Sequence, residues 1–423
     1  MKTLTKSLGL NPEPPQVMHI DLNSAFATTE QQAHKSLRGR PMGVTNRISK
    51  HCCVIAASYE AKALGVKVGM RLDEVRTMIP DFAILETDPP KYHYMYQKLA
   101  GIMNTYSSDT IMKSIDEGII DFHGTTSTVN RRPLADIGLE IKQRLKDEVG
   151  SWMKANIGIG PNRFLAKTAA GLHKPDGLDV ISYSNLRQVY ANLQLTDLTG
   201  IASHFEARLK AAGIFTPLDF LEASEDTLRR LVFHSVVGND WYRRLRGWEV
   251  DGNPTNLGSI GRQMVLPKAS TDDNELLPIL HMLAETTGIK LRYRQVEARG
   301  LIVWANLQTG DFWRERKMFK SSFYTNQDLW QRTLYLFSKR PSGMLINMVG
   351  LTCYQLKPST RNQASLLEEV TRAEWLTTAV DEINDRYGMF TVFPADALPG
   401  KPKVKQKIPF GGTQYFELLL KRQ

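Results

Sequence analysis

Asp21 ends the apolar run Val17-Met18-His19-Ile20, and far downstream Asp116 and Glu117 follow Ser114-Ile115. Carboxylates are the ligands that hard divalent cations such as Mg²⁺ take. Two such ions can activate a 3′-hydroxyl and stabilise a leaving pyrophosphate, the two-metal route to in-line phosphoryl transfer. The same residues equally suit a turn at Asp116-Glu117 and a helix N-cap at Asp21, and by themselves they leave both readings open.

The elements around them follow from apolar patterning. The prolines at 12, 14 and 15 lead into a short strand over 17–20, with a helix-compatible run to Glu30 after Asp21. A carboxylate at a strand end facing a helix start is a common place for an active site. Residues 40–44 and 53–57 read as strands, 59–64 as a helix stopped by Gly65, and 89–107 as a Tyr-rich helix. Residues 113–122 read as a hairpin carrying Asp116 and Glu117. An amphipathic helix over 133–149, a strand over 156–160 and a helix over 162–171 complete an α+β, palm-like sheet.

Length and composition bound the whole. The 423 residues suffice for several domains. A net charge of +10 favours a polyanionic partner such as nucleic acid, though a basic enzyme without one has the same composition. Cys52, Cys53 and Cys353 give no disulfide framework and no paired CxxC zinc site. No apolar run is long enough to span a bilayer, and the first residues lack a signal-peptide core, so a cytoplasmic, nucleoid-associated protein is expected.

Past Val180 the texture turns helical. Leu198-Thr199-Gly200-Ile201 before Leu209-Lys210-Ala211-Ala212-Gly213 is similar to a helix-hairpin-helix, whose Gly turn lets backbone N–H groups approach a phosphate. Residues 248–258 form a polar Gly/Pro linker, and a second α/β domain follows, with strands over 300–305 and 344–349 and a helix over 274–290. Its Arg292, Arg294, Arg299, Arg314, Arg316 and Lys317 are available for phosphates or form a solvated surface. The tail after Ala395, with Lys401, Lys403, Lys405 and Lys407 around two prolines, reads as flexible.

Four segments then carry a resemblance in order and spacing. Asp21-Leu22-Asn23-Ser24-Ala25-Phe26-Ala27, Ala57-Ser58-Tyr59-Glu60-Ala61-Lys62, Ser114-Ile115-Asp116-Glu117, and Leu165-Ala166-Lys167 with His173-Lys174-Pro175-Asp176-Gly177 resemble successive motifs of the Y-family lesion-bypass DNA polymerases, from about Met18 to Tyr354. The nearest branch is the DNA polymerase IV (DinB) type, while Asn46 and Cys53-Val54-Ile55-Ala56 are similar to the UmuC branch. The resemblance implies an α+β multidomain right hand: an N-terminal extension over 1–16, palm over 17–30 and 87–182, fingers over 31–86, a helical thumb over 183–250, a linker over 251–258, an α/β little finger over 259–357 and a C-terminal segment over 358–423. It implies template-directed, low-fidelity translesion synthesis with two Mg²⁺ ions, and primer-template DNA and deoxynucleoside triphosphates as partners of a monomer that engages no membrane.

Residue by residue, the resemblance makes Asp21 and Asp116 ligands of both metals, Glu117 the completing ligand of the catalytic one, and the Leu22 carbonyl a ligand of the nucleotide-bound one. Tyr59, Lys62 and Lys174 would grip the triphosphate, and Phe26 would be the steric gate against a ribose 2′-hydroxyl. Gly200, Ala202, Arg292, Arg294 and Arg299 would contact DNA. Gln363-Ala364-Ser365-Leu366-Leu367 resembles the peptide by which bacterial polymerases dock on the sliding clamp, with Gln363, Leu366 and Leu367 as anchors and the final aromatic missing; it also reads as the start of the helix that continues through 368–370. Residues 379–388 are similar to the family's terminal segment. Three departures stand out: Asn23 where many members have a second Asp, Ala25 where an aromatic usually precedes the gate, and Thr199 and Ala202 in place of Pro and Gly. A catalytically silent, DNA-bound member of the family and a palm-domain nucleotidyl cyclase are the alternatives; the first would be expected to lose carboxylates, and the triphosphate set argues against the second.

Overall fold

The computed structural model describes residues 8–49, 52–125, 132–252, 257–359, 368–402 and 404, and for 368–371 and 373 the backbone alone. The chain divides into two compact units, one running to Pro254 and the other starting at Thr255.

The first unit runs β1 (Val17–Leu22), α1 (Ala25–Ala33), β2 (Met42–Thr45), β3 (Ala56–Ala57), α2 (Tyr59–Ala63), α3 (Leu72–Met78), β4 (Ala83–Glu86) and α4 (Pro89–Asn104). It continues with β5 (Thr110–Met112), β6 (Glu117–Asp121), α5 (Leu134–Glu148), β7 (Ala155–Gly160), α6 (Arg163–Leu172) and β8 (Leu178–Val180). The main sheet has the order β5-β6-β1-β7-β8, with β1 antiparallel to both neighbours. Alternation along β1 sorts its side chains. Met18, Ile20 and Leu22 enter one core with Leu99 of α4 and Ile137, Ile141 and Leu145 of α5, each such side chain contributing about 1.5–3 kcal/mol when fully buried. Val17, His19 and Asp21 fall on the other face, where Val17 packs with Ala166 of α6.

That second face is reachable because β7 is lined with glycine. A Cβ at Gly158 would sit 2.0 Å from the Ala166 carbonyl oxygen and 2.1 Å from the Ala170 nitrogen, so α6 rests directly on the strand backbone. A smaller sheet has the order β3-β2-β4. Its β3 is shorter than the strand expected over 53–57: Cys53 makes only an isolated bridge to Arg71, leaving Ala56 and Ala57 to pair with β2.

The longer helices that follow in this unit are α7 (Leu186–Ala191), α8 (Ser203–Ala211), α9 (Pro217–Glu222) and α10 (Val237–Leu245). Phe164, Phe220, Phe233 and Trp241 form their aromatic core. Gly200 turns the chain into α8 with φ of 97°, a left-handed conformation that favours glycine. Ala202 is the N-cap residue of α8.

The second unit comprises β9 (Ser259–Ser270), α11 (Asp273–Tyr293), β10 (Val296–Leu307), β11 (Phe312–Phe323), α12 (Asn326–Phe337), β12 (Ile346–Pro358) and α13 (Glu368–Tyr387). Its sheet, β11-β10-β12-β9, is antiparallel throughout, so this α and β unit is not assembled from parallel βαβ repeats. Leu301, Val303, Ala305, Val349 and Leu351 pack beneath α11 and α12.

Two expectations are corrected here. Arg292 is not available for DNA: it is buried, with its guanidinium bonded to both carboxylate oxygens of Asp381 at 2.5 and 2.7 Å, to the Tyr324 carbonyl and to Asn326. It anchors α11 to α13 through those bonds. The tail after Ala395 does not begin flexible: residues Ala395–Gly400 form a 3₁₀ turn on α11, with Ala397 fully buried and a Cβ at Gly400 placed 2.2 Å from the Pro278 carbonyl. Residues 405–423 and the candidate clamp peptide 363–367 lie outside the described residues.

Candidate active site

Strand register brings the acidic residues together. Asp21, near the end of β1, pairs with Glu117 on one side and Asn156 on the other, and the Leu22 N–H donates to the Asp116 carbonyl at 2.9 Å. Asp116 is the last residue of the β5–β6 turn and Glu117 the first of β6, so the acids stand at the mouth of a hairpin whose first strand, Thr110–Met112, lies just before the expected span of 113–122. Ser114 fastens that turn: its Oγ donates to Asp116 Oδ1 at 2.5 Å and accepts the N–H groups of Asp116 and Glu117.

Electrostatics separates the carboxyls. Burial pushes the Asp116 carboxyl above the ordinary carboxylate range; Ser114 draws it back, and the charges of Asp21 and Glu117 push it the same way as burial. Burial also raises Glu117, but His19 and Lys167 outweigh it and bring that carboxyl down to about 2. His19 Nε2 lies 3.2 Å and Lys167 Nζ 2.7 Å from Glu117 Oε2. Asp21 is bonded by Lys174 Nζ.

As the side chains stand, no three His, Cys, Asp or Glu groups among the described residues converge into a ready cage, because Asp21 turns toward Lys174 and Glu117 toward Lys167 and His19. The donor set nevertheless fits a hard divalent cation. Besides burial, the charges of Asp21 and Glu117 push the Asp116 carboxyl up, and a cation between the three would relieve that repulsion.

Cations line the other side. Lys62 Nζ donates to Ser24 Oγ at 2.7 Å and stands 4.7 Å from the centroid of the Tyr59 ring. Burial and then the charge of Lys174 pull the Lys62 ammonium below its usual value, with Asp21 opposing. Burial and the Asp21 charge push the Tyr59 phenol up, with Ser24 and Asn23 opposing. Two ammonium groups that repel each other beside a phenol make a receptor for a polyanion. The Phe26 ring, buried in the first turn of α1, stacks on Tyr92 of α4 with centroids 4.4 Å apart.

The Asn23 departure has a structural use. Its Nδ2 donates to Asn156 Oδ1 at 2.7 Å while its Oδ1 accepts the Asp176 N–H at 2.8 Å. Asn156 in turn donates to the His173 carbonyl, so this amide pair ties the end of β1 to the loop carrying Lys174. A carboxylate at 23 could not make both bonds. Sequence reasoning assigned no role to His19, Lys167 or Asn156. His19 carried a faint signal, two residues before Asp21 and hence on the same strand face; Asn156 carried none.

Against known proteins, residues 20–171 match the impB/mucB/samB family and residues 258–366 the C-terminal domain of that family. A DNA polymerase IV of Moorella thermoacetica is 30% identical over 401 residues, covering 91% of this chain and 96% of the relative. DNA polymerase IV 1 of Bacillus subtilis is 26% identical over 381 residues, covering 88% and 90%. Among solved structures, a Y-family DNA polymerase chimera built on Dbh aligns with a TM-score of 0.68 at 22% identity, over 81% of this chain and 99% of that one. DinB from Sulfolobus solfataricus aligns with a TM-score of 0.52 at 22% identity, over 80% and 98%. At that identity the structural likeness speaks to the fold.

Proposed function

Because the chain belongs to the impB/mucB/samB family, the Y-family DNA polymerases of DinB type, we infer that it is a DNA-directed DNA polymerase that carries out low-fidelity translesion synthesis. It extends a primer 3′-hydroxyl with deoxynucleotides on a template strand. The observation that carries the site assignment is the register setting Asp21 opposite Glu117 and beside Asp116, with cations facing them.

Asp21, Asp116 and Glu117, with the Leu22 carbonyl, are the residues that would hold two Mg²⁺ ions. Two ions held there would supply Lewis-acid activation of the 3′-hydroxyl and charge stabilisation for the leaving pyrophosphate. Lys62 and Lys174 neutralise the triphosphate, Tyr59 orients it, and Phe26 faces the sugar. Lys174, bonded to Asp21, would turn to the phosphate oxygens of a bound nucleotide. Duplex product is held through its backbone by the Gly200–Ala202 turn in the first unit and by Arg294 and Arg299 in the second. Gln363, Leu366 and Leu367 dock on a sliding clamp, a reading that rests on their sequence; deleting 363–367 should remove clamp stimulation and spare distributive synthesis.

Primer extension with Mg²⁺ on undamaged and lesion-bearing templates tests the whole. Asp116→Ala and Glu117→Ala should abolish extension and leave DNA binding intact. Appreciable residual synthesis by either variant would overturn the metal-ligand assignment, and failure of the unaltered protein to extend any primer would favour a silent DNA-bound scaffold.

A further inference from the structure

Phe26 and Glu30 lie one turn apart on α1, so helical spacing turns both toward the same neighbour. Tyr92 of α4 meets both. Its ring stacks on Phe26 at 4.4 Å with planes 19° apart, and its hydroxyl donates to Glu30 Oε1 at 2.8 Å. Glu30 is 2% exposed and Tyr92 1% exposed. Lys91 Nζ donates to the other Glu30 oxygen at 2.6 Å, and His34 Nε2 stands 3.7 Å from that oxygen.

These contacts close a loop. The Phe26 ring cannot swing without displacing Tyr92, and Tyr92 cannot shift without breaking a buried hydrogen bond to a charged acceptor. Burial of a carboxylate carries a desolvation cost that a purely apolar pair would not incur, so core packing alone gives no reason for Glu30 at this position. Next to Phe26, Ala25 offers only a methyl group, whereas Tyr92 of α4 stacks on the ring.

We propose that Glu30, acting through Tyr92, is a positioning residue that sets how firmly Phe26 excludes a ribose 2′-hydroxyl. The proposal rests on the reading of Phe26 as the sugar-contacting gate. It assigns sugar selection to a second layer of residues that need not touch the nucleotide.

Single-nucleotide incorporation opposite a template dG, with dCTP and CTP compared by kcat/KM, tests it in the full-length protein. Glu30→Ala and Tyr92→Phe should each lower the deoxy-over-ribo preference roughly three- to tenfold, the worth of one buried hydrogen bond, through faster ribonucleotide use. Deoxynucleotide efficiency should stay within about twofold. Glu30→Gln keeps an acceptor for the tyrosine and should retain the preference. Tyr92→Phe leaves the buried carboxylate paired with Lys91, and so stands in for Glu30→Ala should that variant fail to fold. Phe26→Ala is the reference. If it leaves the preference unchanged, the gate reading falls and the proposal with it. If it relaxes the preference while Tyr92→Phe and Glu30→Ala do not, only the proposal is overturned. Equal loss of deoxy- and ribonucleotide efficiency, or a Glu30→Gln variant as relaxed as Glu30→Ala, would likewise overturn it.

Discussion

At the scale of single residues, Glu117, proposed above as a metal ligand, is held in one ionised orientation by its neighbours. Its carboxylate is kept ionised by a hydrogen bond from Lys167 and a contact with His19, which outweigh the cost of burial. Both groups also fix its orientation, as outer-shell partners commonly do for metal ligands. Lys167→Ala should therefore raise the Mg²⁺ concentration needed for half-maximal extension and lower kcat, together about 10–100-fold. Lys167→Arg, which can still donate to the same oxygen, should recover most of the loss. A Mg²⁺ titration of the extension rate checks this, and an unchanged midpoint in Lys167→Ala would remove Lys167 from the role. Asn23 belongs to the same scale. Its two-sided amide bonding shows that an apparent substitution of a ligand-like acid is the replacement of a charge by a brace between β1 and the Lys174 loop.

At the scale of elements, location in the sequence and location in the fold diverge most for the arginines around the end of α11. Arg299 on β10 is exposed, whereas Arg292 is buried against Asp381 of α13. Arg292→Ala should destabilise the second unit by about 1–3 kcal/mol, because it leaves the Tyr324 carbonyl, Asn326 and the partly exposed Asp381 without their donor, yet leave the salt slope of DNA binding unchanged. Arg299→Ala should do the reverse, reducing that slope by about 1 with little effect on stability. Denaturant unfolding and binding isotherms at several salt concentrations separate the two. The contrast explains what was legible. Asp21, Asp116 and Glu117 could be read because strand patterning and a hairpin are local features that fix where a side chain goes. The ends of α4, α5 and α6 were readable within a few residues for the same reason. Arg292, the turn at 395–400 and the Tyr92–Glu30 bond were not. Their state depends on which distant element covers them, and a charged or Pro-rich stretch looks the same from sequence whether it faces water or another helix.

At the scale of the whole molecule, each unit owns a separate core, with Leu301, Leu351 and Cys353 in one and Met18, Ile20 and Ile157 in the other. Separate cores make unfolding in separate steps the expectation, so one midpoint will not describe the chain. The three thiols are built-in reporters of those steps. Cys53 is exposed and Cys52 half-buried in the first unit, while Cys353 is fully buried in the second. Burial pushes the Cys353 thiol up to about 12 from its ordinary 9.0. Its thiolate is therefore suppressed at pH 8, and access is closed as well. With a folded value above the unfolded one, the stability tied to this group is fully present below pH 9 and is lost as pH rises toward 12. At pH 8 a thiol reagent should label Cys53 in the native protein and reach Cys353 only in the transition that opens the second unit. Raising the pH from 8 to 11 should lower the midpoint of that transition, and Cys353→Ala should blunt this particular dependence. Prompt labelling of Cys353 in the native protein would show that the second core opens far more readily than its packing implies. Coincident labelling and unfolding of both units would instead mean that the two cores share one cooperative transition.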